Sequence, residues 1–489
     1  MKVLLVYPNL MLQTSLPNSL PILSACLKEA GHTVKLFETT YYKTEEVSTD
    51  ERRVQRLQVK SFSYDDVGLQ LKKEDVYKDF QMVLESYKPD LIGITLIDDT
   101  LDLAFKLLEY TGDIPVVAGG VSTILAPDCI LSNPDVDYVC IGEGEKTIVD
   151  LCEYLEGKRF VDISHISNLG YKDKTTFIYN DREKPVDIDS LPFEDYSIFD
   201  EKRLYRPMRG KMVKSIPINL DRGCPYRCAF CCAPAIKKRI GSGYFRMKSI
   251  SRIEEEIRHQ MKMHPDVEFF YFNSESFLVR DIEFLKSFAE MYKKFGLRFW
   301  CQANIDTISD EKIRIVKEMG CLTMSVGLES GDEKFRRTFL HKNFSNEQVL
   351  KAFKIIKKYD IPTSVNNIIG YPEETRDQIF KTIDMNRRIF QIYPKASMSG
   401  FVFQPYRGTE LYDFCLAKGY INKDNRTDTL IGNPTITNPY LSDEELKGLL
   451  RTFVMYIKFP KNYYHKIKKA EQDAAIFEKL SRRYWELYS

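Results

Sequence analysis

The 489-residue chain is 43% hydrophobic and 29% charged, with a formal net charge of +1. Its length leaves room for about three domains, and its composition is that of a globular chain able to bury a sizeable core. The near-zero charge excludes a global electrostatic case for nucleic acid, and eleven mostly scattered cysteines, an odd count, argue for a reducing cytosol over a disulfide framework.

In chain order, the apolar run Val3–Val6, ended by Pro8, is too short for a signal peptide or membrane span and predicts a buried strand. A helix around Leu20–Ala30 stops at Gly31, and TVKLFE (33–38), DLIGITL (90–96), PVVAGG (115–120) and DYVCIGEGE (137–145) read as further strands, with a helix near Leu101–Tyr110. Short Val/Ile/Leu runs alternating with helices predict a parallel, doubly wound sheet over residues 1–155. Ligands of such sheets sit at the carboxyl ends of the strands, where the glycines of VAGG and IGEGE fall. Residues 156–205 are polar and turn-rich and read as a linker, with a hairpin at 171–181.

From Ile216 the alternation resumes. SIPINL (215–220), EFFYFN (268–273), LRFWCQAN (297–304), LTMSVGLE (322–329), TSVNNIIG (363–370) and MSGFVFQ (398–404) are strand candidates separated by helical patterns. Six βα units predict a closed or partly closed barrel over 206–412, with function at the carboxyl ends of its strands. The segment 413–489 reads as helical, and Tyr463, Tyr464, Lys466, Lys468, Lys469, Arg482 and Arg483 give it a basic, aromatic face. That pattern predicts an amphipathic helix closing the barrel, and it leaves contact with an anionic substrate or a membrane surface open.

The most informative segment directly follows the first barrel strand: Cys224-Pro225-Tyr226-Arg227-Cys228-Ala229-Phe230-Cys231-Cys232. Three thiolates on one short loop can hold three irons of a cubane and leave the fourth open, which a centre that binds substrate requires. Zinc loops usually supply two paired sets of ligands, and no second CxxC exists here. Cys232 reads as a packing neighbour.

CxxxCxΦC at this position, with Phe230 as Φ, resembles the motif of the radical S-adenosylmethionine (SAM) superfamily. The resemblance implies a [4Fe–4S] cluster on Cys224, Cys228 and Cys231, whose open iron is chelated by SAM. One electron, from a donor such as flavodoxin or ferredoxin, then releases a 5′-deoxyadenosyl radical. SVGLESG (325–331) is similar to the family's fourth-strand motif, which implies a ribose contact for Glu329 with Ser330 beside it. NIIGYPEET (367–375) resembles the segment flanking the adenine and brings in Gly370, while QPYRGTEL (404–411) resembles the sixth-strand ending. FNSESF (272–277) holds the place where members bind the SAM amino group; paired aspartates are common there, whereas this chain offers Asn273, Ser274 and Glu275, of which Glu275 is the candidate.

A doubly wound domain ahead of such a barrel resembles the superfamily's cobalamin-binding class. VVAGGVSTI (116–124) and DYVCIGEGEKTI (137–148) carry this likeness, as does SLPFEDY (190–196) for the linker, and they mark Gly119, Gly120, Gly142 and Gly144 as cofactor-facing. Glycine strand ends let the backbone approach a flat corrin. The histidine of the DxHxxG type of cobalamin domain is missing from Tyr7–Ser15, so cobalamin is expected to bind without a histidine ligand. The six histidines, His32, His165, His259, His264, His341 and His465, form no ligand pattern. The expected architecture is a Rossmann-like α/β domain of cobalamin-binding type, a partial (βα)6 TIM-like barrel and a helical C-terminal segment. The implied activity is cobalamin-dependent methylation of an unactivated carbon in the cytoplasm. Cyclisation or rearrangement, a non-catalytic iron–sulfur or cobalamin sensor, and a degenerate first domain that only packs on the barrel stand as the alternatives.

Overall fold

The structure, a computed structural model, describes residues 1–158 and 162–488. The first layer runs β1 (Lys2–Tyr7), α1 (Ser19–Glu29), β2 (Thr33–Glu38), α2 (Thr49–Gln55), α3 (Val76–Tyr87), β3 (Leu91–Thr95), α4 (Leu101–Leu108), β4 (Val116–Gly119), α5 (Val121–Leu125), α6 (Pro127–Leu131), β5 (Tyr138–Cys140) and α7 (Glu145–Leu155). Strands β1 and β3 are apolar and buried along nearly their whole length, the pattern of parallel strands covered on both faces. Their order in the sheet is β2-β1-β3-β4-β5, so the winding reverses between β1 and β3 and opens a crevice there.

The hairpin predicted within the linker is not free-standing. It forms β6 (Leu169–Asp173) and β7 (Thr176–Tyr179), and β6 pairs antiparallel with β5, extending the first sheet to seven strands. Periodicity locates a hairpin but carries no signal for the sheet edge it joins.

The next layer runs β8 (Tyr205–Met208), β9 (Lys211–Asn219), β10 (Asp221–Arg222), α8 (Cys232–Ile240), β11 (Arg246–Met247), α9 (Ile250–Met263), β12 (Phe269–Asn273), α10 (Ile282–Tyr292), β13 (Arg298–Ala303), α11 (Asp310–Glu318), β14 (Cys321–Glu329), α12 (Glu333–Thr338), α13 (Asn346–Tyr359), β15 (Thr363–Ile369), α14 (Arg376–Ile392) and β16 (Ser397–Val402), with β10 and β11 paired as a separate two-stranded ribbon. The order β16-β15-β14-β13-β12-β9 is parallel throughout, with β8 antiparallel on the outer edge. The barrel is therefore open, since β8 and β16 are the two edges. The gap is bridged by the first domain: Gln58 donates to the Gly400 carbonyl of β16 at 2.8 Å, and the turn at Gly210 packs on Lys60 and Ser61. Helices α15 (Glu410–Lys418), α16 (Asp443–Lys458), α17 (Tyr464–Ala470) and α18 (Ala474–Tyr488) complete the chain. α16 packs against α14 and β16 and is buried along much of its length. No helix among the described residues is long and apolar enough to cross a membrane.

The connecting segment is tied down by Arg203, whose side chain is fully buried. Its Nε donates to Glu38 at 2.9 Å and its other nitrogens to the carbonyls of Gln13 (2.9 Å) and Ser15 (3.4 Å). Removing one member of a buried ion pair leaves an uncompensated charge and costs about 3–5 kcal/mol. Arg203→Ala should lower the stability of the chain by that order, read as a lower urea midpoint; an unchanged midpoint would show that the segment is held elsewhere.

Candidate active site between the two sheets

The carboxyl ends of both sheets face one another across a cavity of about 610 Å³. The first domain contributes Tyr7 of β1, Gly93 and Thr95 of β3, and the glycines Gly119, Gly120, Gly142 and Gly144. The barrel contributes Asp221, Gly223, Tyr244, Tyr271, Asn273, Ser274, Glu275, Trp300 and Gln302. None of the six histidines is among the lining residues. Of these glycines, Gly120 answers a steric demand and Gly119 does not. Gly120 has φ +101°, and a Cβ there would lie 2.6 Å from the Leu96 carbonyl oxygen. A Cβ on Gly119 would meet nothing within 4 Å, so that position is open space toward the cavity.

The two domains are clamped beside the cysteine loop. Arg222, two residues before Cys224, donates to Glu145 at 2.5 Å and lies 3.3 Å from Glu143, which also pairs with Arg246. Burial works against the charge of Arg222, and the two carboxylates outweigh it, raising its pKa. These are the two acidic residues of the GEGE string, whose charges the sequence reading left without a role; a motif with two carboxylates at a sheet edge was the signal for a cationic partner.

The cysteine loop itself is anchored through Ala229, which donates to the Leu340 carbonyl (3.2 Å) and accepts from the Leu411 amide (3.2 Å). Gly223 makes the preceding turn at φ +83°, where a Cβ would lie 2.4 Å from the Tyr244 carbonyl oxygen. Burial pushes the thiols of Cys224 and Cys231 up to about 12 and 11, and Glu275 adds to both shifts. Cys228 is raised by burial and eased by Lys342. Thiolates are thus costly in this loop unless a bound cation supplies positive charge. No three His, Cys, Asp or Glu side chains among the described residues converge as the shell of one metal ion. A cubane differs in its demand, because each thiolate meets a different iron. Three partly buried thiols on one loop fit that donor set. Cys232 opens α8 and packs toward Asp98 and Asp99 of the first domain.

Glu275 projects into the cavity, reachable by solvent yet ringed by protein; that desolvation and the nearby Asp221 raise its carboxyl pKa. Its loop is fixed by a buried pair, Arg280 to Asp221 at 2.7 Å, with Ser274 donating to the same carboxylate at 2.5 Å. Glu329 ends β14 at φ +63°, a left-handed conformation that costs a non-glycine residue energy and often marks functional positions. Lys342 lies 3.0 Å from its carboxylate and donates to the Gly327 carbonyl at 2.9 Å. Nothing in the sequence motif pointed to Lys342, which arrives from a different loop.

Ser330 differs from the expectation. It is fully buried, its hydroxyl lies 3.4 Å from the Thr382 hydroxyl and accepts from the Asp332 amide, so it braces the strand end instead of lining the cavity. Gly370 turns the chain at φ +79°, and its amide donates to Glu374 at 2.8 Å. Phe230 lies 5.9 Å, ring to ring, from Tyr371. Cys224, Cys228, Cys231, Phe230, Glu329 and Gly370 are not among the residues lining this cavity, which meets the cysteine loop at Gly223.

Comparison with known proteins accords with this geometry. The family model described as the radical SAM superfamily matches residues 218–385, and that described as the B12 binding domain matches residues 13–152. The chain belongs to the radical SAM superfamily, in its cobalamin-binding class. An uncharacterized methyltransferase of Pyrococcus horikoshii is 24% identical over 412 residues, covering 80% of this chain and 82% of its relative. An anaerobic magnesium-protoporphyrin IX monomethyl ester cyclase of Rubrivivax gelatinosus is 27% identical over 316 residues, covering 62% of this chain but 55% of the cyclase. Among solved structures, the radical SAM methyltransferase TsrM of Kitasatospora setae, with cobalamin and a [4Fe–4S] cluster bound, shares the fold at TM-score 0.63 and 16% identity, covering 85% of this chain and 75% of TsrM.

The turn after β15 yields a pH prediction for this radical SAM barrel. Glu374 is fully buried, one oxygen accepting the Gly370 and Tyr371 amides and the other without a partner. Burial raises its pKa from 4.5 to about 8, against the lowering effect of those amides. Between those values the folded chain keeps a proton that the unfolded chain releases, so stability falls as pH rises through that window. Glu374→Gln should flatten the decline in unfolding midpoint between about pH 5 and pH 8; an identical slope in both proteins would place the ionised form in the fold.

Proposed function

We propose that this radical SAM enzyme is a cobalamin-dependent methyltransferase acting on an unactivated carbon. The observation that carries the reading is the single cavity walled by the glycine-rich strand ends of the B12 binding domain and by Glu275 and Gly223 of the barrel. Two cofactors that act on one substrate atom must share one chamber. When bound, the cluster and SAM supply a 5′-deoxyadenosyl radical that removes a hydrogen atom, and cobalamin supplies the methyl group.

The chain's own residues hold and orient these groups. Cys224, Cys228 and Cys231 are assigned as the cluster thiolates, on a loop whose backbone is pinned at Ala229. Glu275, fixed by the Arg280–Asp221–Ser274 network, is assigned to the SAM amino group. Glu329, held by Lys342, is assigned to the ribose, with Gly370 and Phe230 on the adenine side. Gly119, Gly120, Gly142 and Gly144 would let a flat corrin approach the first sheet, and no histidine is among the residues lining that cavity.

Anaerobic reconstitution, with iron and every SAM-derived product quantified, tests the reading. Wild type and Cys232→Ala should each take up about four irons per chain, whereas Cys224→Ala, Cys228→Ala and Cys231→Ala should lose the cluster and all SAM cleavage. Turnover should release 5′-deoxyadenosine and S-adenosylhomocysteine in about equal amounts, since each methylation spends two SAM molecules with different fates. Stoichiometric zinc in place of iron would sink the cluster assignment. Deoxyadenosine alone, with a product no heavier by a methyl group, would favour the cyclisation that the Rubrivivax relative is named for.

A further inference from the structure

A second cavity, of about 340 Å³, adjoins the first, and Pro17, Asn18, Tyr271 and Asn273 line both. It lies between the loop after β1 and the inner face of β8, β9 and β12. Two arginines line it, Arg203 and Arg206, and no aspartate or glutamate does. Arg203 is neutralised by Glu38. Arg206 is not: no carboxylate among the described residues lies within 4.0 Å of it, and its one side-chain acceptor is the Ser15 hydroxyl at 3.3 Å. A guanidinium carries five donors, so most of them are uncommitted.

Besides that bond, an aromatic face holds Arg206 in place. Its guanidinium lies 3.8 Å over the Tyr271 ring, and the opposite face of that ring stacks on Trp300 at 3.9 Å with 10° between planes. The stack fixes the fork without discharging it, as a recognition site for a planar or tetrahedral anion requires. Surface arginines are solvated; this one is half-buried in a pocket that opens into the reaction chamber.

We infer that the substrate carries an anionic group, a carboxylate or a phosphate, which Arg206 binds in the side cavity while the reacting carbon lies in the main one. The inference rests on the enzymatic reading above, since it takes the main cavity as the place of reaction. It places the charge of the substrate in the side cavity, whose lining holds no aspartate or glutamate.

The chain has two tryptophans, Trp300 in the stack and Trp485 in α18, so Trp485→Phe makes Trp300 a sole reporter. The full-length single-tryptophan chain is titrated with inorganic phosphate and, separately, with benzoate. At least one should change Trp300 emission saturably, and which one does so tells phosphate from carboxylate recognition. Adding salt should weaken the binding. Arg206→Gln should weaken it about ten- to a hundredfold, as expected for loss of a charge-assisted bond, and Arg206→Lys should recover part of it. No saturable change with either anion, or equal binding by the Gln variant, overturns the inference. This readout needs no turnover: anion binding without SAM cleavage would sink the enzymatic reading alone, and SAM cleavage without anion binding would sink this one alone.

Discussion

The structure depends on two sheets presenting their carboxyl edges to each other, and one ion-pair cluster holds them there. Arg222 reaches from the first turn of the barrel to Glu145 and Glu143 of the opposite sheet, and Arg246 shares Glu143. Charges removed from bulk water are stabilising only with partners in good geometry, so the cluster specifies one docking of the domains more than it adds stability. Because Arg222 is two residues from Cys224, the same contact sets the distance between the cysteine loop and the glycine strand ends. A further link repeats the logic: Arg407 lies 3.8 Å from Asp98, and its amide donates to the same carboxylate at 3.3 Å.

The electrostatics around the loop are arranged for a cation that the side chains alone do not supply. Three partly buried thiols with raised pKa values stand near Glu275, and Lys342, the cation that eases Cys228 and Cys231, is already committed to Glu329. A cluster bound there supplies the missing charge and makes the thiolates favourable. Lys342 donates to both the Glu329 carboxylate and the Gly327 carbonyl, so a different loop tethers the strained strand end at two points.

Much of the fold was legible because it is written in short periods. All eleven predicted strands form, although of the segment 137–145 only Tyr138–Cys140 is strand. The cysteine spacing is local, hence readable. What escaped depends on residues far apart in the chain. The hairpin at 169–179 joins the first sheet, Gln58 and its neighbours bridge the open edge of the barrel, and Lys342, Arg206 and Trp300 reach the site from separate elements. Ser330 sits beside a motif residue in sequence, yet a strand end turns successive side chains apart, and it faces Thr382.

The central claim is that one chamber, without a histidine in its lining, holds the cluster and cobalamin of a single chain. The most direct test is the electron paramagnetic resonance spectrum of cob(II)alamin bound to cluster-loaded protein, recorded with the cluster oxidised and then reduced. The account predicts a cobalt signal without nitrogen splitting from a protein histidine, broadened when the neighbouring cluster becomes paramagnetic. A signal split by a histidine nitrogen, or one indifferent to the cluster's oxidation state, would contradict it.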